Sequence, residues 1–281
     1  MTTPEHNLAS PDAPLSGRIA LVTGAGGGEA GGIGAGIARC LGAQGATVCV
    51  NDIDATSAQR TVDELNTAGV KAFPVVGSVG DSESADAMIR TVEDTIGPLD
   101  ILVNNAGIVG RSSVANTSDD EWKRVLGVNL DGPFYMSRAA LTAMRPRGYG
   151  RIVNIASIAG IRISYLGGIA YTASKSGLLG LTRHMAAEVA QHGITVNAVL
   201  PGVTITPLVE SATTEESRAA IAESVPAQRA GRPEDVGWTV CYLASDHAAY
   251  ISGTSVPVDG AMTVLPGDFS GYRSNSHKDI G

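Results

Sequence analysis

Two side chains in the run YTASK, residues 171–175, have the types and the spacing for proton transfer. Tyr171 and Lys175 are four residues apart, so that on a helix they share one face. A free tyrosine has a pKa of about 10, and a nearby ammonium group stabilises the phenolate and lowers that pKa. Such a pair can exchange a proton with an alcohol or a carbonyl oxygen. A surface pair without a function has the same spacing, so the surrounding motifs must decide between the two.

A glycine-rich stretch near the N-terminus, TGAGGGEAGGIGAG at 23–36, is a candidate phosphate-binding turn. It follows the apolar run RIALVTG (18–24) and precedes a helical pattern, which is the context that a dinucleotide-binding turn requires. Asp52 ends the next apolar run, and Asp54 follows it. An acid at that place accepts hydrogen bonds from the adenosine ribose and repels a 2′-phosphate, which favours NAD over NADP. The alternative is a flexible glycine tract beside a solvated aspartate.

Short apolar runs alternate with longer segments whose apolar residues have helical spacing, such as 57–69 and 84–97. Most of the runs are continuously apolar, as expected for parallel strands covered on both faces. The predicted strands are residues 18–24, 47–52, 100–107, 151–157, 194–202 and 255–260. The pattern predicts an α/β fold, a single-domain doubly wound (Rossmann) parallel sheet with helices on both faces. Ligands of such sheets bind at the carboxyl ends of the strands.

The composition excludes several classes of function for the 281-residue chain. Its net charge of -8 argues against a nucleic acid or an anionic membrane as the main partner, and no apolar run reaches the roughly 20 residues that span a bilayer. The three cysteines, Cys40, Cys49 and Cys241, are interpreted as buried thiols of a cytoplasmic protein. The sequence offers no third metal ligand to accompany His184 and His192. We therefore expect a small-molecule substrate and no metal.

The ends of the chain differ from its middle in composition. Residues 1–16 are interpreted as a flexible N-terminal extension, residues 17–265 as the Rossmann-fold domain, and residues 266–281 as a tail that is frayed or docked on a partner subunit. The segment at about 207–226 is polar and rich in alanine and follows a strand end, which is the position of a lid.

The motifs along the chain have a recognisable order. They are NNAG (104–107), Asn129 in VNLDG, Ser157 in NIASIAG, YTASK (171–175) and PGVTITP (201–207). Over about residues 15–265 the chain resembles the short-chain dehydrogenase/reductase family, and the stretch 231–260 is similar to the C-terminal part of that family. The resemblance implies an NAD-dependent short-chain alcohol dehydrogenase or ketone reductase. It also implies a homotetramer.

The resemblance also implies the catalytic roles. Tyr171 would be the general acid/base, Lys175 would also hold the nicotinamide ribose, and Ser157 would hydrogen-bond the reacting oxygen. Asn129 would anchor a water that links Lys175 to solvent, although an asparagine inside a helix can also simply bond the local backbone. A non-catalytic dinucleotide-binding sensor or scaffold of the same fold is the alternative function. Such proteins tend to lack the tyrosine or the lysine, and this chain keeps both.

By the same resemblance, the backbone of residues 105–107 packs against the cofactor, and Thr206 bonds the nicotinamide carboxamide. The expected cofactor contacts are Gly24, Gly32, Ile33, Gly34, Asp52, Ile53, Ser78, Val79, Asn105, Ala106, Gly107, Tyr171, Lys175, Pro201, Gly202, Thr204 and Thr206. The chain departs from the family in two of these places. The glycine turn has about four extra residues, and Ser78 stands where many members have Asp. Glu29, within the insertion, is not expected to contact the pyrophosphate, because two like charges repel.

The substrate is the part that the residues specify least. Arg111 and Arg162 fall in segments that should line the substrate pocket, and two converging arginines would suit an anionic substrate. The alternative is that both point to solvent or pair with local acids. Tyr165 and Leu208 would instead make an apolar wall.

Overall fold

The protein is described from a computed structural model, which describes residues 13–27, 32–164, 167–206 and 214–264. Within these residues a sheet of seven strands has the order β3-β2-β1-β4-β5-β6-β7, and every neighbouring pair is parallel. The strands are β1 (Ile19–Val22), β2 (Thr47–Asp52), β3 (Ala72–Val76), β4 (Ile101–Asn104), β5 (Gly150–Ile155), β6 (Ile194–Pro201) and β7 (Ser255–Val258). The order reverses between β1 and β4, which confirms the doubly wound sheet predicted from the sequence.

The helices connect the strands and cover the sheet. They are α1 (Ile33–Ala43), α2 (Ala55–Thr67), α3 (Ser82–Thr95), α4 (Asp119–Leu126), α5 (Gly132–Arg147), α6 (Ile169–Val189), α7 (Glu215–Ser224) and α8 (Pro233–Ala244). A short π-helical segment, Gly127–Asp131, joins α4 to α5. Short polar side chains start several of them: Asp54 caps α2, Asp81 caps α3 and Ser118 caps α4.

Alternating residues of β1 enter two cores on opposite faces of the sheet. Ala20 and Val22 of β1 pack in one core with the apolar sides of α1, α2 and α8. Ile19 and Leu21 pack in the other core with α3, α5 and α6. Burial on both faces explains why the strands are continuously apolar in the sequence.

β3 is absent from the strands predicted from the sequence, and other predicted strands end later than the structure shows. The β3 segment contains Pro74, which is typical of an edge strand and hides it from a search for apolar runs. β1 ends at Val22 and β5 at Ile155, two residues earlier than predicted. The apolar runs continue into turns, and those turns carry the residues that line the cavity described below.

Packing against the core begins before residue 17, because Leu15 lies within the N-terminal extension predicted for residues 1–16 and is buried. Leu15 is 1% exposed and belongs to the core that covers α1, and its amide donates to the carbonyl of Gln44 at 3.0 Å. Residues 1–12 and the tail predicted at 266–281 lie outside the described residues. Among the described residues, no helix has the length and apolarity needed to cross a membrane.

Candidate active site

A cavity of about 680 Å³ opens at the carboxyl ends of the strands, beside the point where the strand order reverses. Its walls come from the glycine turn, from the turns after the strands and from α6. Predicted site residues on the wall are Gly24, Ile33, Gly34, Asp52, Ile53, Ser78, Val79, Asn105, Ala106, Gly107, Ser157, Tyr171, Lys175, Pro201, Gly202 and Thr206. The volume is within the range of sites for cofactors and other small molecules. The fold therefore brings most of the predicted site residues to one place.

The glycine turn allows very close contacts at two predicted cofactor positions. Gly24 has a φ of +62°, and a Cβ there would lie 2.7 Å from the Cα of Ala106. A Cβ on Gly34 would lie 2.5 Å from Nδ2 of Asn105. Gly32 provides no side-chain cap for α1, and no acidic residue follows in the first turn of that helix. The start of α1 therefore presents N–H groups and a partial positive charge, which suits an anionic group.

Asp52 lies at the end of β2, as the sequence predicts, but its carboxylate already has protein partners. Its Oδ2 accepts from the amide of Gly26 at 3.2 Å, and its Oδ1 accepts from the amide of Asp54 at 3.1 Å. Asp54 turns away from the cavity to cap α2. Ile53 is 73% exposed and lines the cavity beside Asp52, so this end of the cavity combines one acid with an apolar wall.

The phenol of Tyr171 and the hydroxyl of Ser157 are hydrogen-bonded to each other, and both residues line the cavity. Burial raises the pKa of Tyr171, and the hydrogen bond with Ser157 opposes that shift. Ser157 follows β5 and also accepts from the amide of Ala159 at 3.1 Å. The pKa of the phenol is thus above its ordinary value, the opposite of the direction predicted from the neighbouring lysine. The neutral phenol, a proton donor, is the favoured form near neutral pH.

Lys175 is buried one helical turn after Tyr171, with a relative exposure of 4%. Its Nζ donates to the carbonyl oxygen of Ile155 at 2.8 Å and lies 5.7 Å from the centre of the Tyr171 ring. Burial lowers the pKa of Lys175 to about 8, because the apolar surroundings disfavour the charged form. The two predicted catalytic side chains therefore share a face of α6, but the lysine is bonded to backbone.

Asn129 is fully buried in the π-helical segment and fixes the loop after β4. Its Oδ1 accepts from the amide of Ile108 at 2.8 Å, and its Nδ2 donates to the Ile108 carbonyl at 2.9 Å and to Oγ of Ser174 at 3.2 Å. Ser174 in turn donates to the carbonyl of Tyr171 at 2.7 Å. Local backbone bonding, the alternative left open by the sequence, is thus present, and the water-anchoring role stays a prediction.

Several predicted contacts are not on the cavity wall. Gly32 directly precedes α1 and Thr204 pairs with Gly231, and neither lines the cavity. Arg111 is exposed, and the Nη1 of Arg162 donates to the carbonyl of Met262 at 3.0 Å. The two arginines do not line the cavity, and the described residues give no support for the anionic pocket predicted from them. Tyr165, Leu208 and Glu29 lie outside the described residues.

Two residues that support the site are missed by sequence reasoning. Asn51, just before Asp52, lines the cavity and bonds the glycine turn. Glu121 has capping-box spacing after Ser118, but its carboxylate turns to Ser112 and accepts from the Ser112 hydroxyl at 2.5 Å. That bond lowers the pKa of Glu121 and ties the 110–112 loop to α4. No sequence signal separates Asn51 from ordinary polar residues, and the spacing of Glu121 predicts a helix cap rather than a bond to Ser112.

Comparison with known proteins gives matches along most of the chain. A family model described as enoyl-(acyl carrier protein) reductase matches residues 27–263. The chain is similar to the 3-oxoacyl-acyl-carrier-protein reductase of Vibrio harveyi, with 40% identity over 251 residues, which are 89% of this chain and 99% of that protein. It is also similar to a cyclohexanol dehydrogenase of an Acinetobacter species, with 39% identity over 251 residues that cover 89% of this chain and 96% of that protein.

The chain is also similar to solved structures over most of its length. A gluconate 5-dehydrogenase from Burkholderia cenocepacia, described in complex with NADP and tartrate, superposes with a TM-score of 0.83 at 32% identity. The match covers 91% of this chain and 99% of that one. By their names these three proteins act on different substrates, namely a 3-oxoacyl-acyl carrier protein, cyclohexanol and gluconate.

Proposed function

Because the chain belongs to the short-chain dehydrogenase/reductase family of oxidoreductases, we propose that it interconverts a secondary alcohol and a ketone with NAD. The observation that carries the proposal is the placement of Ser157, Tyr171 and Lys175 in the same cavity as the glycine turn. A general acid must be within reach of the oxygen it protonates, and a cofactor must be held beside it. The cavity has room for both.

The residues present fit a nicotinamide dinucleotide. The bare backbone of Gly24 and Gly34 and the uncapped start of α1 suit a pyrophosphate, which needs close approach and N–H donors. Asn105, Ala106 and Gly107 would pack against the nucleotide, and the wall also includes Pro201, Gly202 and Thr206. When bound, the nicotinamide ring supplies the site that accepts or donates a hydride.

Tyr171 supplies the proton in the reducing direction. Its pKa is raised by burial, so the phenol stays protonated near neutral pH and can donate to a carbonyl oxygen. Ser157, which lies within hydrogen-bond distance of that phenol, can turn its one O–H to the same oxygen and stabilise its developing charge. In the oxidising direction the phenolate form of Tyr171 takes the proton of the alcohol and becomes the neutral phenol again.

Lys175 carries a second titratable proton at the wall of the same cavity. Since its pKa is lowered to about 8, its charge changes within a pH range in which enzymes work. Gly107 lies close to both Lys175 and Asn129. A Cβ on this glycine would lie 3.6 Å from the lysine Nζ and 3.5 Å from the asparagine Oδ1. This arrangement supports a role for both residues in restoring the proton of Tyr171.

Asp52 supports NAD rather than NADP. A carboxylate at the end of β2 accepts from ribose hydroxyls and repels a 2′-phosphate. The gluconate 5-dehydrogenase of Burkholderia cenocepacia is described with NADP, so the cofactor of this chain must be measured. We expect a cytoplasmic homotetramer that acts on a small molecule and binds neither nucleic acid nor membrane, in line with the net charge of -8.

The test is a screen of secondary alcohols and hydroxy acids with NAD and with NADP, read by the absorbance of the reduced cofactor. The control is Tyr171→Phe, which removes the phenol oxygen and keeps the ring. We expect turnover by the wild type, and a loss of at least about a hundred-fold in kcat for the variant with little change in cofactor affinity.

Two outcomes would contradict the proposal. Turnover retained by Tyr171→Phe would remove the assigned general acid. Tight binding of the dinucleotide with no turnover of any alcohol or ketone would favour the alternative, a non-catalytic sensor or scaffold of the same fold.

A further inference from the structure

The first part of the glycine turn is bonded to the end of β2 through three consecutive amides. The amide of Gly24 donates to Oδ1 of Asn51 at 3.4 Å, and the amide of Ala25 donates to the Asn51 carbonyl at 2.8 Å. The amide of Gly26 donates to Oδ2 of Asp52 at 3.2 Å. These three donors are used inside the protein, so the pyrophosphate must find its donors later in the turn or at the start of α1.

The carbonyl of Gly26 is held from a different element. Oγ1 of Thr61, on α2, donates to it at 3.2 Å, and Thr61 is 3% exposed. Five other helical threonines instead donate to the carbonyl four residues earlier; these are Thr67, Thr91, Thr95, Thr182 and Thr239. Thr61 therefore departs from the usual bond of a helical threonine to reach the cofactor turn.

Nη2 of Arg60, also on α2, donates to the same carbonyl at 3.5 Å, and this bond and the shorter one from buried Thr61 together determine the orientation of one peptide group. In a trans peptide the C=O and the following N–H point in opposite directions, and the described chain has no cis peptide. With the Gly26 carbonyl directed to α2, the N–H of Gly27 points away from α2. Gly27 has a φ of +66° and lines the cavity.

We propose that Thr61 is a positioning residue that orients the Gly26–Gly27 peptide, so that the Gly27 amide donates to the pyrophosphate of the cofactor. The inference rests on the proposed dinucleotide binding and concerns the place where this chain departs from its family. A turn with about four extra residues has more conformations to lose on binding. Glycine is the residue with the most backbone freedom, so holding Gly26 on both sides reduces that loss.

Direct binding of NADH and of NADPH, measured by calorimetry without substrate, tests the inference. The variants are Thr61→Ala and Thr61→Ser, which differ from one another by one oxygen. The control is Thr67→Ala, which removes an exposed hydroxyl from the same helix. We expect Thr61→Ala to weaken binding of both cofactors about five-fold, the equivalent of about 1 kcal/mol for one hydrogen bond. Thr61→Ser and Thr67→Ala should stay within about two-fold of the wild type.

The ratio of the two cofactor affinities and the value of kcat distinguish a positioning role of Thr61 from a general structural role. Because the hydroxyl acts on the pyrophosphate end, the ratio of NADH to NADPH affinity should not change, and kcat at saturating cofactor should match that of the wild type. If Thr61→Ala lowers the helical signal in circular dichroism, Thr61→Val, which keeps the branched shape, replaces it. Equal affinities in all Thr61 variants would overturn the inference, as would an equal loss in Thr61→Ser and Thr61→Ala. A wild type that binds neither dinucleotide would instead overturn the proposed function and, with it, this inference.

Discussion

The positive charge of buried Lys175 should lower the free energy of unfolding of the protein. Burial lowers the pKa of Lys175 from 10.5 to about 8. A difference of that size between the unfolded and folded states corresponds to about 3 kcal/mol, which is the cost of keeping the buried lysine charged. Replacement by methionine, which has a similar length and no charge, removes this cost.

Whether the free energy of unfolding rises or falls with pH follows from the number of protons that the folded and unfolded states bind. Below pH 8 the lysine is charged in both states, and the full cost is present. Between about pH 8 and 10.5 the unfolded chain binds more protons than the folded protein, so the stability of the wild type rises with pH. Above pH 10.5 the lysine is neutral in both states and the cost is gone. Lys175→Met should therefore gain most at neutral pH.

Urea unfolding of the wild type and of Lys175→Met at pH 7 and near pH 10 measures the difference. The variant also loses the 2.8 Å bond to the Ile155 carbonyl, which reduces its gain by about 1 kcal/mol at every pH. We expect Lys175→Met to be about 2 kcal/mol more stable than the wild type at pH 7 and to lose most of that advantage near pH 10. Lys123→Met, at an exposed lysine of α4, is the control and should show no such pH dependence. A difference between Lys175→Met and the wild type that is the same at both pH values would refute the reasoning.

Two further substitutions test the cofactor preference and the support of the catalytic residues. Asp52→Asn keeps an acceptor for the Gly26 amide and removes the charge. The ratio of kcat/KM for NADP to that for NAD should therefore rise about ten-fold. An unchanged ratio, or a wild type that already prefers NADP, would show that Asp52 does not select the cofactor. Ser174→Ala leaves Nδ2 of Asn129 short of one acceptor, so kcat should fall about ten-fold while the cofactor KM stays the same. Steady-state kinetics with both cofactors measure these effects, and an unchanged kcat in Ser174→Ala would show that the Asn129–Ser174 bond does not support catalysis.

The fold was predictable because its signals are local. Continuous apolar runs reflect strands buried on both faces, and a strand, glycine turn and helix in succession have few other structures available. The strand that was missed, β3, contains Pro74 at the sheet edge, where burial is incomplete and the apolar pattern is broken. Leu15 was not assigned to the core because one large apolar residue between Pro14 and Ser16 has no period, although it packs in the core.

The sequence by itself determined the parallel sheet, the family resemblance and the residues that could transfer a proton, since residue types and spacing carry that information. Only the tertiary structure decided how those residues are partnered. Asp52 shares its carboxylate with Gly26, Lys175 bonds the Ile155 carbonyl, and burial raises the pKa of Tyr171 where the sequence predicts a lower value. The contact between Thr61 and Gly26 joins residues 35 positions apart. Such contacts depend on how helices and turns pack on the sheet, because desolvation and hydrogen bonding are properties of the packed molecule.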